Sequence, residues 1–161
     1  MSAPDLFTYF APTQLSVGRG AVATIPDILA KQGHGKGLVV TDPGLVAAGL
    51  VDRVTSVLDS ADLPYVVYDQ VKENPPIEVV EACLNRYLSE DCDYLVAVGG
   101  GSSMDTAKTA GVLATNEGKI GEFFVAGKVT NRIPFTLCVP TTYGTGSEVT
   151  PFAVVTDDNH F

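Results

Sequence analysis

The chain has 161 residues, of which 45% are hydrophobic and 18% charged, and these values indicate a globular protein of one domain. Its net charge of −9 argues against a nucleic-acid partner, which needs a basic surface, and against binding to an anionic membrane. No stretch resembles a signal peptide or a membrane helix. Its three cysteines form no C-x-x-C motif, so we expect reduced thiols in a cytoplasmic protein.

In chain order, the pattern first predicts an N-terminal β-hairpin from residues 6–10 and 14–18. Short apolar strands then alternate with amphipathic helices. The predicted strands are residues 38–41, 65–68, 94–98 and 135–139. Because these strands are apolar throughout, they indicate a mostly parallel sheet with helices on both faces, which is a doubly wound α/β fold.

Helices are predicted between these strands. The first ends at Gly33, and the second begins at Asp42-Pro43 and continues unbroken through Leu58. The third begins after Asn74, and the fourth ends near Asn116. The residues of the third helix that we expect to face the core are Ile77, Val80, Leu84, Tyr87 and Leu88.

A turn of three glycines, Gly99, Gly100 and Gly101, lies between the third strand and the fourth helix. Glycines let a ligand approach the backbone closely, and a helix N-terminus favours an anion, so we predict a phosphate site. The alternative is an ordinary strand-to-helix turn. Ser102 and Asp105 have a spacing close to that of a capping box, so helix capping also remains open for both.

Polar residues also follow the other strands. Asp42 can accept both hydroxyls of a ribose, or it can simply cap the next helix. Asn74 lies a few residues beyond the second strand. The turn after the last strand is either a phosphate- or amide-binding segment or an ordinary loop, and its hydroxyls belong to Thr141, Thr142, Thr145 and Ser147. Ligands of parallel sheets bind at this edge, which supports one common site.

Two common nucleotide motifs are not matched. The dinucleotide fingerprint G-x-G-x-x-G would need a glycine where Met104 stands, and G-x-x-x-x-G-K-[ST] does not occur. However, Gly-Gly-Gly-Ser-x-x-Asp followed by Pro-Thr-Thr-x-Gly-Thr-Gly-Ser-Glu-Val-Thr resembles the iron-containing (group III) alcohol dehydrogenases. Thr41-Asp42-Pro43-Gly44 and Glu73-Asn74-Pro75 are similar to two further family stretches. Glycerol dehydrogenases and dehydroquinate synthase share this nucleotide half.

The resemblance implies the family's Rossmann-like N-terminal domain, which binds NAD(H). The pyrophosphate would be held by Gly100, Gly101 and Ser102, and Gly99 would also belong to the cofactor site. Asp42 would bind the adenosine ribose and favour NAD over NADP. The residues that would line the cleft are Asn74, Asp105, Thr141, Thr142, Thr145 and Ser147. Tyr143 departs from the small residue usual in the family, and it would either narrow the cleft or point outward. The N-terminal hairpin resembles the strand pair through which family members often form homodimers.

Family members also bind Fe²⁺ or another divalent metal through one Asp and three His of a helical C-terminal domain. This chain has only His34 and His160, and neither matches those motifs. We therefore expect residues 1–161 to form a single dinucleotide-binding domain that lacks catalytic and metal-binding residues of its own. The full enzyme would oxidise a small alcohol or reduce an aldehyde, and the alternative is a non-catalytic dinucleotide-binding module.

The last residues are expected to form an extended segment over 149–156 and a turn over 157–159. Phe161 would then begin a return strand. On this interpretation the chain is a truncated product or an isolated domain.

Overall fold

The structure, a computed structural model, describes residues 13–33, 35–124 and 127–157. Within these residues four strands form one parallel sheet in the order β2-β1-β3-β4. The strands are β1 (Gly37–Val40), β2 (Tyr65–Tyr68), β3 (Tyr94–Gly99) and β4 (Phe135–Pro140). The α-helices are α1 (Ile25–Gln32), α2 (Pro43–Ala47), α3 (Asp52–Ser60), α4 (Ile77–Ser89) and α5 (Gly101–Thr115), and Ala21–Thr24 and Ile120–Phe124 form 3-10 turns.

Helices cover both faces of the sheet, because every residue of β1 and β3 is apolar or glycine and must be buried on either side. Leu38 and Val40 of β1 pack in one core with residues of α4 and α5. Val39, which points the other way, packs with residues of α1 and α3. The predicted doubly wound fold is therefore confirmed. None of the helices described here is both long and apolar enough to cross a membrane.

The prediction of one unbroken helix after Asp42 is wrong. The chain forms two helices, α2 and α3, because Gly49 adopts a left-handed conformation with φ of +67°. The N–H groups of Gly49 and Leu50 donate to the carbonyls of Val46 and Leu45, at 3.0 and 3.1 Å, and close the end of α2. The apolar spacing continues across this break, so periodicity alone could not reveal it.

Two other expectations differ from the structure. Leu88 of α4 is 53% exposed, and the core-facing side of that helix instead includes Val79 and Cys83. Residues 14–18 contain no strand, while the other half of the predicted hairpin, residues 6–10, lies outside the described residues.

The C-terminal expectation is met only in part. The segment 149–156 forms no strand, although Thr156 makes an isolated parallel bridge with Pro76. Most of the predicted turn at 157–159 lies outside the described residues.

Burial of thiols and phenols in the core makes stability sensitive to alkaline pH. Burial raises the pKa of Cys83 to about 12 and the pKa of Cys138 to about 11, and it raises the pKa of Tyr68 and Tyr87 to about 12. The folded chain therefore holds these protons more tightly than the unfolded chain does. Unfolding releases them at alkaline pH, which lowers the free energy of unfolding.

We predict that the free energy of unfolding, measured by urea titration, falls progressively as the pH rises from about 9 towards 12. The variant Cys83→Ala should lose less stability over this range, because one of the groups responsible is gone. The comparison concerns the slope against pH, since the substitution also lowers stability at every pH by leaving a cavity. Identical slopes for the two chains would contradict the prediction.

Candidate functional site

The glycine turn joins β3 to α5 at the carboxyl edge of the sheet. Gly99 has φ of +156°, and a Cβ atom at this position would overlap the side chain of Ser103. Gly100 is the N-cap of α5, and no side chain caps the helix. The capping alternative for Ser102 and Asp105 is therefore excluded. The first N–H groups of α5 therefore have no side-chain acceptor at the cap, and a free helix N-terminus favours an anion.

The loop after β4, residues 141–146 and here called the β4 loop, lies against this turn. The N–H of Thr141 donates to the carbonyl of Gly99 at 2.9 Å, which joins the two segments. A Cβ atom on Gly100 would lie 3.0 Å from Thr142 Oγ1, and one on Gly101 would lie 3.2 Å from Thr145 Cγ2. The two loops approach each other this closely only because residues 100 and 101 have no side chain.

A cavity of about 370 Å³ opens beside the glycine turn. Six of the residues predicted from the sequence line it: Asn74, Gly101, Ser102, Asp105, Thr145 and Ser147. The sequence did not indicate its apolar residues Phe152 and Val154, which lie on the segment after the β4 loop. The structure thus brings together hydroxyls, one amide and one carboxylate around a concave surface with an apolar side.

Asn74 and Asp105 both accept hydrogen bonds from residues in the stretch 147–156. Asn74 has a left-handed backbone, with φ of +46°, and its carbonyl accepts from Thr156 Oγ1 at 3.1 Å. Asp105 is buried, and its carboxylate accepts from Ser147 Oγ at 2.5 Å and from the N–H of Val154 at 3.0 Å. Lys108, which sequence reasoning missed, forms an ion pair with Asp105 at 3.2 Å.

Asp42 lies at the end of β1 and does not line this cavity. Its Oδ1 accepts from the N–H of Leu45 at 3.0 Å, so it caps α2 as one alternative predicted. Leu45, whose N–H makes this cap, contacts the glycine turn, since its Cδ1 lies 3.3 Å from the Cβ position of Gly99. The hydrogen bond that caps α2 uses only one carboxylate oxygen, Oδ1. The proposal that Asp42 also binds a ribose therefore stays a prediction.

Tyr143 is 99% exposed, so its ring points into solvent and does not narrow the cavity. Thr141 and Thr142 are also exposed, and both lie at the contact between the β4 loop and the glycine turn.

The described residues do not fit a divalent metal ion. No group of three or more His, Cys, Asp and Glu side chains able to hold a metal occurs among them. His34 and His160 lie outside the residues that the structure describes. The carboxylate nearest the cavity, Asp105, already accepts hydrogen bonds on both oxygens.

A doubly wound sheet with a glycine turn and a helix N-terminus at its carboxyl edge is the arrangement of nucleotide-binding α/β domains. The sequence model described as iron-containing alcohol dehydrogenase matches residues 12–160, and the chain belongs to this family.

Three relatives illustrate the match. The chain is 46% identical over 160 residues to the choline dehydrogenase of Bacillus subtilis (strain 168), which covers 98% of this chain and 40% of the relative. The structure of a 1,3-propanediol oxidoreductase superposes with a TM-score of 0.88 at 36% identity, covering 96% of this chain and 40% of that one. The sulfoacetaldehyde reductase of Bifidobacterium kashiwanohense, solved with NAD+, gives 0.86 at 31% identity, covering 97% and 41%. The chain therefore spans about 40% of the length of these relatives.

Gly101→Val tests the contact between the glycine turn and the β4 loop. The new side chain would displace Thr145 and reduce access to the N–H groups at the start of α5. We predict at least a roughly tenfold loss of NADH affinity by calorimetry, or about 1.4 kcal/mol, with little change in the urea midpoint. Gly121→Val is the matched control, since a Cβ there meets no atom within 4 Å. Equal NADH affinity in the two variants would refute a role for this contact.

Proposed function

We propose that this chain is the NAD(H)-binding part of an NAD-dependent oxidoreductase that interconverts a small alcohol and its aldehyde or ketone. The observation that carries the proposal is the α5 N-terminus at Gly100, which has no side-chain cap and opens beside a cavity of about 370 Å³. Residues 1–161 would form a single dinucleotide-binding domain. When bound, the nicotinamide ring supplies the chemistry by accepting or returning a hydride.

The pyrophosphate would bind to backbone N–H groups. Gly100, Gly101 and Ser102 present these groups at the positive end of the α5 dipole. The chain has 19 acidic and only 10 basic residues, so a net basic surface is not available to attract an anion. Backbone N–H groups provide this attraction without added charge. Thr142 and Thr145 lie against Gly100 and Gly101 on the side of the β4 loop.

The two ends of the dinucleotide would lie on opposite sides of this turn. Asp42, which accepts from the N–H of Leu45 at the edge where Leu45 contacts the turn, would accept the hydroxyls of the adenosine ribose and repel the 2′-phosphate of NADP. The nicotinamide end would then enter the cavity lined by Asn74, Ser147 and Phe152. Asp105 and Thr145 would line the same part of the cleft.

The substrate class is supported by the names of the relatives, which are choline dehydrogenase, 1,3-propanediol oxidoreductase and sulfoacetaldehyde reductase. Each acts on an alcohol or an aldehyde by name. The residues described here do not fit the family's metal. We therefore assign them cofactor binding and derive no metal-dependent step from them.

Two further features are part of the proposal. A cytoplasmic location is consistent with three free cysteines, of which Cys83 and Cys92 are buried. A homodimer would form through the N-terminal residues, most of which lie outside the described part of the chain. Sedimentation velocity at two protein concentrations would detect a dimer.

Asp42→Asn tests the selection of NAD over NADP. Asparagine is as good an N-cap as aspartate, so α2 should remain intact while the negative charge is lost. We predict that calorimetry with the unchanged chain detects NADH and little or no NADPH, and that the variant narrows this preference by roughly tenfold. Asp52→Asn, on an exposed residue of α3, is the matched control and should leave the preference unchanged.

If neither cofactor binds to the unchanged chain, the proposed function is wrong. If both bind and Asp42→Asn leaves the preference unaltered, cofactor binding stands but the role of Asp42 does not.

A further inference from the structure

Lys108 joins α5 to the chain segment that follows the β4 loop, residues 147–154. Its Nζ donates to the carbonyl of Ser147 at 2.9 Å and to the carbonyl of Phe152, and it lies 3.5 Å from the carbonyl of Thr150. Only 12% of the Lys108 side chain is exposed. A cationic donor this well buried forms stronger hydrogen bonds than a neutral group does.

Asp105 completes this arrangement one helical turn earlier. Its carboxylate pairs with Lys108 at 3.2 Å, and its oxygens accept from Ser147 Oγ and from the N–H of Val154. The pair therefore contacts the 147–154 segment at both ends and in the middle. A buried ion pair stabilises a structure only when its remaining donors and acceptors are satisfied, and here the segment supplies those partners.

The 147–154 segment has no helix or strand of its own to fix its shape. Two of its apolar side chains are largely in solvent, since Phe152 is 74% exposed and Val154 69% exposed. Hydrophobic burial therefore contributes little to its position. The contacts made by Asp105 and Lys108 account for its backbone hydrogen bonds to α5, and the same segment forms the apolar side of the cavity.

We propose that Asp105 and Lys108 are positioning residues that hold the 147–154 segment in place as a wall of the nicotinamide side of the cleft. This inference rests on the proposed function, because it assumes that the cavity receives the nicotinamide end of NAD(H). Asp105 then acts through Ser147 and Val154 and is not itself a ligand of the cofactor. The adenosine side, at Asp42, lies outside its reach.

The test replaces Lys108 in the 161-residue chain with methionine, which keeps most of the unbranched side chain and removes the charge and the donors. Lys31→Met is the matched control, because Lys31 is exposed on α1, on the opposite face of the sheet. Lys108→Gln and Lys108→Arg are the milder variants, and arginine should restore much of the behaviour, since it keeps a cationic donor. Each chain is examined by amide hydrogen exchange and by calorimetry with NADH and with ADP-ribose.

We expect amides of the 147–154 segment in Lys108→Met to exchange roughly tenfold faster or more, while those of β1 and β3 stay protected. NADH affinity should fall by roughly tenfold, and ADP-ribose affinity should hold, because ADP-ribose lacks the nicotinamide. If Lys108→Met does not fold, Lys108→Gln should show the same two effects at smaller size.

Unchanged exchange in the segment would overturn the proposal, and so would equal losses of NADH and ADP-ribose affinity. If the unchanged chain binds neither compound, the proposed function fails. The exchange measurement alone then decides whether Lys108 positions the segment.

Discussion

At the carboxyl edge of β3, two backbone segments meet where neither Gly100 nor Gly101 carries a side chain. The β4 loop lies so close that a single Cβ atom on either residue would press on Thr142 or Thr145. The same missing side chains leave the start of α5 uncapped. The close approach of the loops and the access to the helix N–H groups thus share one cause, and Gly101 and Ser102 at the start of this helix line the cavity.

Charge has a different role at this edge from the one it has in sites built on Lys and Arg. The chain carries a net charge of −9, so the attraction for an anion would come from the α5 dipole and its N–H groups. Its acidic side chains would then have two other tasks, which are to discriminate between NAD and NADP and to hold a neighbouring segment of the chain. Asp42, which caps α2, would select between cofactors at the ribose, while Asp105, paired with Lys108, contacts another segment of the chain.

The order of strands and helices was predictable because its signals are local. Runs such as Tyr94–Gly99 are apolar without alternation, and glycines or Asp-Pro pairs mark where helices begin and end. The break at Gly49 was missed because the apolar spacing continues from α2 into α3. The left-handed backbone of Gly49 divides the predicted helix into two, but it does not disturb the spacing of the apolar residues.

The polar residues of the site were predictable for a similar reason, since each follows a strand and parallel strands end at one edge. The contacts of Lys108 with the 147–154 segment were not predictable, because the carbonyls that it reaches lie 39 to 44 residues away in the sequence. The outward orientation of Tyr143 and the apolar wall at Phe152 also depend on how distant segments pack. Such contacts leave no periodic signal in the chain.

In the proposed function, the N-terminus of α5 binds the pyrophosphate of NAD(H). Titration of the ¹⁵N-labelled chain with NADH, followed by amide chemical shifts, tests it most directly. We expect the largest shifts at the N–H groups of Gly100, Gly101 and Ser102, with smaller ones around Asp42. Saturable binding of NADH that leaves those three amides unperturbed, or no binding at all, would contradict it.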